Sequence, residues 1–317
     1  MKKTLLFVIS ITAMVLSAAP WWNNQWGSRI KVTVSTGMTP KENALVALKL
    51  DVKDVKTSSI RVVDAENNAV PFAVRKDGND NSFVAWRIAE PEMLEELDYY
   101  IYFDENDKPE VTEAAGFPKS LPGMNFVSNA AWTKKTADGD IAGWFCSSRG
   151  YGRADKWNEQ NRKLVSVEEK DGRRALKIAG GTTVITFIPE LEEGHIYRMS
   201  FEGYNCGPQL TTVTALFYDH TDSTFKIHRQ YANYKMASGV PSPDSWIKSV
   251  NSKFGYIDNK TKTNHTNVEK ILPGTAGAVI EIDPRAKKTF YITNIVFEDI
   301  TEKSLETTAG EVENVQK

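Results

Sequence analysis

The sequence predicts an all-β chain of two antiparallel sandwiches, and three observations predict it. Short β-branched and aromatic runs recur along nearly the whole chain, separated by Gly, Pro, Asn and Asp clusters. Long helical periodicity is absent. A proline-containing stretch near residues 105–123 interrupts the strand pattern and divides the chain in two.

The elements follow in order. Lys2 and Lys3, the apolar run Leu5–Leu16 and the small residues Ser17, Ala18 and Ala19 read as an export signal over 1–19. The run is shorter than the ~20 residues a membrane-spanning helix needs. Pro20 disfavours a cut directly after Ala19, so a cut after Ser17 or Ala18 fits equally well. The expected location is secreted or periplasmic, which excludes nucleic acid as an everyday partner. No membrane span is expected.

The first sandwich is expected over 20–107. Ile30, Val32 and Val34 alternate with polar residues, and Leu45–Val52, Ile60–Val63, Val70–Val74, Phe83–Ile88 and Tyr99–Phe103 continue the pattern. Asp77-Gly78-Asn79-Asp80 is a strong turn signal. Pro91–Leu97 reads as one or two helical turns. Trp21, Trp22 and Trp26 allow an exposed platform, or a cover packed against Trp86 and Phe72.

A linker is expected over 108–123, with Pro109, Pro118 and Pro122. The second domain, 124–300, carries candidate strands at Leu164–Glu168, Arg174–Ile178, Val184–Ile188, Tyr197–Tyr204, Thr211–Tyr218, Ala278–Ile282 and Tyr291–Glu298, which suit a jelly roll with long loops. The polar segment 301–317 reads as a disordered tail.

Charge excludes little. The chain has 39 basic and 41 acidic residues, net −2, and losing Lys2 and Lys3 makes it −4. No polyanion or membrane affinity follows from that balance. Two cysteines, Cys146 and Cys206, sit in an exported chain. A bridge closing that ~60-residue loop would contribute roughly 4 kcal/mol on the chain-entropy model. Two separate buried thiols are the alternative.

The second domain resembles the galactose-binding-like jelly roll, and within it the carbohydrate-binding modules of the family four and nine type. Asn125-Phe126, Gly143-Trp144, Asp171-Gly172, Ala175-Leu176-Lys177-Ile178, Tyr197-Arg198-Met199-Ser200, Trp246, Leu272-Pro273-Gly274-Thr275-Ala276 and Tyr291-Ile292-Thr293-Asn294-Ile295 carry the resemblance, in order. Many relatives place carboxylates where this chain has Val127 and Thr293-Asn294, so their structural calcium is not expected. The first domain resembles an exported bacterial sandwich of unknown function through Trp21-Trp22-Asn23, Ile60-Arg61-Val62-Val63-Asp64 and Tyr100-Ile101-Tyr102-Phe103. It is read as immunoglobulin-like.

The resemblance implies a non-catalytic protein that binds a polysaccharide or glycan, without cofactor or metal. Sugar recognition needs flat aromatic faces and a few fixed polar groups. The polar loop Ser147–Asn161 offers Arg149, Tyr151, Arg153 and Trp157, and the arginines could clamp a carboxylate bidentately. Tyr231 and Tyr234 add a second aromatic pair. Two alternatives stay open. Lys226, His228, Gln230 and Tyr231 resemble part of the set that jelly-roll lyases use on uronates. Both domains could also be adhesion or assembly modules for a protein partner. The four histidines, His195, His220, His228 and His265, show no metal-ligand spacing, and no nucleophile elbow or phosphate loop occurs.

Overall fold

The computed structural model describes residues 22–314, except 53, 110, 112, 114, 148–154, 207–210, 222–226, 229–230, 239–241 and 285–288. For 206, 211, 220–221, 227–228, 231–234, 237–238 and 242–243 only the backbone is described. The expected export signal and Trp21 lie outside the described residues. No helix among the described residues is long and apolar enough to cross a membrane.

The first half folds into strands β1 (Ser28–Ser35), β2 (Ala44–Leu50), β3 (Arg61–Asp64), β4 (Ala69–Val70), β5 (Phe72–Lys76), β6 (Ser82–Ile88) and β7 (Glu96–Phe103). β2, β6 and β5 form one sheet, in that order. It faces a second sheet running β1-β7-β3-β4. Alternating residues meet between them: Val32, Val34, Val46, Val62, Val84, Trp86 and Ile101 form the core. Pro91–Leu97 is no helix. It turns at Met93–Leu94, and β7 already begins at Glu96.

The second half contributes β8 (Phe145–Ser147), the short helix α1 (Glu159–Leu164), β9 (Val165–Lys170), β10 (Arg173–Ile178), β11 (Thr183–Pro189), β12 (Tyr197–Cys206), β13 (Thr211–Tyr218), β14 (His220–Thr221), β15 (Ile227–His228), β16 (Tyr231–Ser238), β17 (Ser242–Asn251), β18 (Phe254–Asp258), β19 (Asn264–Val268), β20 (Gly277–Pro284) and β21 (Phe290–Asp299). A five-stranded sheet, β17-β12-β21-β10-β9, packs on a seven-stranded one, β19-β18-β16-β13-β20-β11-β8. This is a jelly-roll sandwich. Leu176, Met199, Phe201, Phe290 and Phe297 from one sheet meet Val184, Val213, Phe217 and Ile280 from the other. Trp132 and Trp144, with ring centroids 4.7 Å apart, plug one part of that core.

The described residues of the expected linker and tail belong to the fold. Phe117, Leu121 and Met124 lie on the outer face of β2 and β6, against Leu45, Phe83 and Ala85. Phe117, Leu121 and Met124 therefore cover a sheet that would otherwise expose apolar surface. The tail is corrected further: Glu306–Asn314 forms β22, which pairs antiparallel with β1 from Ser28↔Asn314 to Ser35↔Glu306. The chain leaves the second sandwich, runs along β2 (Leu305 N–H to Leu45 C=O, 2.9 Å) and completes the first. Its polar sequence suits an edge strand whose side chains stay in water. One contact is buried: Arg29, 1 % exposed, pairs with Glu313 at 2.7 Å and with the Tyr102 hydroxyl at 3.1 Å. Burial works against the Arg29 charge, but these bonds outweigh it and raise its pKa.

The two sandwiches also meet at the Asp77–Asn81 turn. Asp77 Oδ1 accepts from the N–H groups of Asn79 and Asn81, which shapes the turn. Gly78 N–H then bonds Asn125 C=O at 2.9 Å. A Cβ at Gly78 would sit 2.6 Å from the Phe126 carbonyl oxygen, so only glycine permits this approach.

Candidate functional site

Strand alternation builds an aromatic row on the outer face of the five-stranded sheet. On β12, Tyr197, Met199 and Phe201 point into the core, which turns Tyr204 outward. On β21, Phe290 and Ile292 are buried, and Tyr291 between them is not. Register sets Tyr204 opposite Trp246 of β17 on one side and opposite Tyr291 on the other. Ring centroids are 5.8 Å apart for Tyr204–Trp246 and 5.9 Å for Tyr204–Tyr291, both edge-to-face. The row continues through Lys177 of β10 to Ser166 of β9. All three aromatic side chains are half-buried.

Cations flank the row. Lys170 Nζ lies 4.5 Å from the Tyr204 ring centroid, and Arg173 Cζ lies 5.1 Å from that of Trp246. Arg173 also pairs with Glu202, and Lys170 with Asp171. The Asp171 contact raises the Lys170 pKa, and the Glu168 contact raises that of Lys177. Bonds from Ser166 and Lys177 lower the Glu168 pKa. At neutral pH the face therefore carries fixed charges of both signs around three rings. The Trp246 Nε1–H is buried with no acceptor among the described residues. Beyond Arg173 the surface falls into a cleft of about 630 Å³ at the domain seam. Arg174, Asn294, Thr133 and Lys134 line it, with Asn79 from the first domain.

Arg149, Tyr151 and Arg153 lie outside the described residues. Trp157 is half-buried against the main core, and its Nε1–H bonds the Trp144 carbonyl at 2.9 Å. Its indole N–H is thus already engaged, while the ring stays half-buried. Tyr231 and Tyr234 are on β16, but their side chains are outside the described part. β16 and β8 belong to one sheet, separated by β13, β20 and β11. Of the lyase-like set, Lys226 and Gln230 lie outside the described residues, and His228 pairs across strands with His220.

The outer face of that seven-stranded sheet is mostly covered. Ile185, Leu216, Tyr218 and Val279 are buried there, as are Thr214 and Glu281. Phe145, 36 % exposed, meets Phe187 edge-on at 5.9 Å. Cys146 is a buried free thiol on β8, and burial pushes its pKa up to about 12. Cys206 belongs to β12 in the opposite sheet, with its side chain outside the described part.

Trp22 and Trp26 pack, but not against Trp86 and Phe72. Trp26 is 6 % exposed on the outer face of β7 and β3, beside Val63, Tyr100 and Tyr102. Its indole N–H bonds the Ser59 carbonyl at 2.5 Å, and Trp22 covers it at 5.3 Å. Trp86 belongs to the inner core, on the far side of that sheet.

No protein-family model matches this chain, and no curated protein matches it in sequence. Among solved structures, it is similar to the enzymatically active domain of bacteriophage CBA120 tailspike protein 4, at 15 % identity and TM-score 0.35, over 60 % of this chain. The chain spans 24 % of that domain. It is also similar to the module TmCBM61, solved with β-1,4-galactotriose, at 12 % identity and TM-score 0.32, over 56 % of this chain and 99 % of that one. A family 4 carbohydrate-binding module gives 14 % identity and TM-score 0.32, over 55 % and 99 %. The last two are the class of module that the second domain resembles. Likeness at this level carries no functional argument, and the site is read from its own residues.

Proposed function

We propose that this is an exported glycan-binding protein and that the row Trp246–Tyr204–Tyr291 is its binding strip. The row itself carries the reading. Three half-exposed rings on adjacent strands offer apolar faces to successive sugar rings, and ionic groups beside them reach hydroxyls or acidic substituents. Lys170 and Arg173, over the ring faces, favour a chain with carboxylate or sulfate groups, since such groups draw both cations aside without leaving them unpaired. Binding without turnover is the behaviour this reading expects.

Affinity gels cast with neutral and with acidic polysaccharides test the reading. Retardation of the wild type, reduced in Tyr204→Ala, supports it. Equal mobility in every gel, or retardation unchanged in Tyr204→Ala, sinks it. For export, N-terminal sequencing of protein from the periplasm or medium should begin near Ala18–Pro20. Retention of Met1 in the cytosol would contradict it.

A further inference from the structure

We infer that Glu192, His195 and Asp299 form a binding site for a divalent transition-metal ion, with zinc as the best match, at the seam where the linker meets the jelly roll. One ligand atom from each of the three lies within 4.8 Å of the other two. His195 Nδ1 is 2.6 Å from Asp299 Oδ2 and 3.7 Å from Glu192 Oε2. The residues come from two places: Glu192 and His195 from the loop before β12, and Asp299 from the end of β21. The site borders a cavity of about 320 Å³ lined by Phe117, Pro118 and Pro122 of the linker and by Arg87, which is paired with Glu302. That space admits water to complete the coordination.

A second observation points the same way: the carboxylates have too few protons aimed at them. Asp299 is 5 % exposed, yet no lysine or arginine among the described residues pairs with it or with Glu192. Ser120 Oγ lies 2.6 Å from Asp299 Oδ2 and 3.0 Å from Glu192 Oε2. A hydroxyl has one proton and can serve only one of them at a time. Asp299 Oδ1 accepts from Thr301 N–H at 2.8 Å, and Glu192 N–H is tied to the Tyr197 hydroxyl at 2.9 Å. Two carboxylates, one of them buried, thus share one serine proton, one imidazole proton and the Thr301 N–H, with no cation paired to either among the described residues. A cation relieves that deficit directly.

Ligand chemistry selects the ion. Imidazole with two carboxylates suits zinc, whereas calcium and magnesium prefer oxygen alone. Tetrahedral zinc with ligands near 2.0–2.2 Å puts ligand atoms about 3.4 Å apart. The Glu192–His195 spacing already fits, and the His195–Asp299 pair opens by under an ångström. Nδ1 gives up its proton on binding, and Nε2 can carry it. The bound ion would fix the loop before β12 to the end of β21, next to the linker and at the start of the segment that leads to β22.

Zinc titration of the purified full-length mature chain, stripped with chelator, tests the site. The expected result is one saturable equivalent, a melting temperature that rises with zinc, and visible d–d absorption on cobalt substitution. His195→Gln should lose the cobalt signal and lower zinc affinity at least about tenfold, while keeping the metal-free melting temperature. Should His195→Gln fold poorly, Glu192→Gln, at a quarter-exposed position, should show the same loss. Absence of saturable binding overturns the proposal. So does binding that persists in both variants but disappears in His220→Gln, since the ion would then sit at the β14–β15 pair.

Discussion

Two aromatic clusters, one on each sandwich, lie on the outer faces of sheets and differ in how far the protein itself uses them. In the first, the Trp26 indole bonds the Ser59 carbonyl, Trp22 N–H bonds the Tyr102 hydroxyl, and Trp26 is sealed. In the second, Trp246, Tyr204 and Tyr291 stay half-exposed, and cations rest on two ring faces. The first cluster is close in sequence and looks like a platform there, but it is structural. The second is scattered over nearly ninety positions and assembles only through strand register. Density of aromatics in sequence is therefore a poor guide to a binding surface. Half-exposed rings that strand register brings side by side are a better one.

Breaking the packed cluster should have the largest effect. Trp26→Ala should destabilise the chain by about 3–5 kcal/mol, the usual range for emptying a buried tryptophan site. Urea denaturation measures it, and a loss under 1 kcal/mol would mean the cluster is not packed. Polysaccharide affinity at a temperature where the variant is folded should not change.

Next comes the strand that closes the first sandwich. Removing residues 303–317 exposes the β1 edge and leaves buried Arg29 without Glu313. Because Glu313 is itself half-exposed, the full cost of a buried pair does not apply, and about 1–3 kcal/mol is expected. An unchanged unfolding midpoint would restore the disordered-tail reading.

A smaller change sharpens the second cluster. Arg173→Ala removes the cation over Trp246 and the partner of Glu202. Affinity for an acidic polysaccharide should fall a few-fold, on the order of 1 kcal/mol, while affinity for a neutral one holds or rises. Titration calorimetry with both kinds separates the two, and an equal loss for both would remove any charge preference.

The smallest effect concerns acid. The Arg162 hydrogen bond holds the Asp140 carboxyl below its ordinary range. A carboxyl depressed in the folded state stabilises it above the unfolded pKa near 3.9, and that contribution is lost as pH falls through the lower folded value. Asp140→Asn should therefore lose a small amount of stability at pH 7 and converge on the wild type below about pH 4, which flattens the acid limb of the stability curve. A variant as acid-sensitive as the wild type would contradict this.

Much of the fold could be read from the residues because period-two alternation is local. Val32 and Val34, Phe83–Ile88 and Tyr197–Phe201 declare a buried face without any partner in view. Glu306–Asn314 does not, since an edge strand with both faces largely in water has no alternation to show. The linker misled for a related reason: prolines marked a break in strands, but Phe117 and Leu121 are anchors. Tyr204 and Tyr291 could have been found as outward aromatics, each next to an inward apolar residue. Their meeting with Trp246 could not, because register is a property of the assembled sheet. The Glu192–His195–Asp299 cluster was equally hidden, being joined across more than a hundred residues.

The comparison rests on the second cluster's being open to a ligand, and the affinity of Trp246→Ala relative to wild type measures that most directly. With the tightest-binding polysaccharide from the gel panel, the ratio of dissociation constants should be at least about ten, some 1.4 kcal/mol, at a melting temperature close to the wild-type value. Equal affinity in the two proteins would contradict the account and return the row to the same structural role as Trp22 and Trp26.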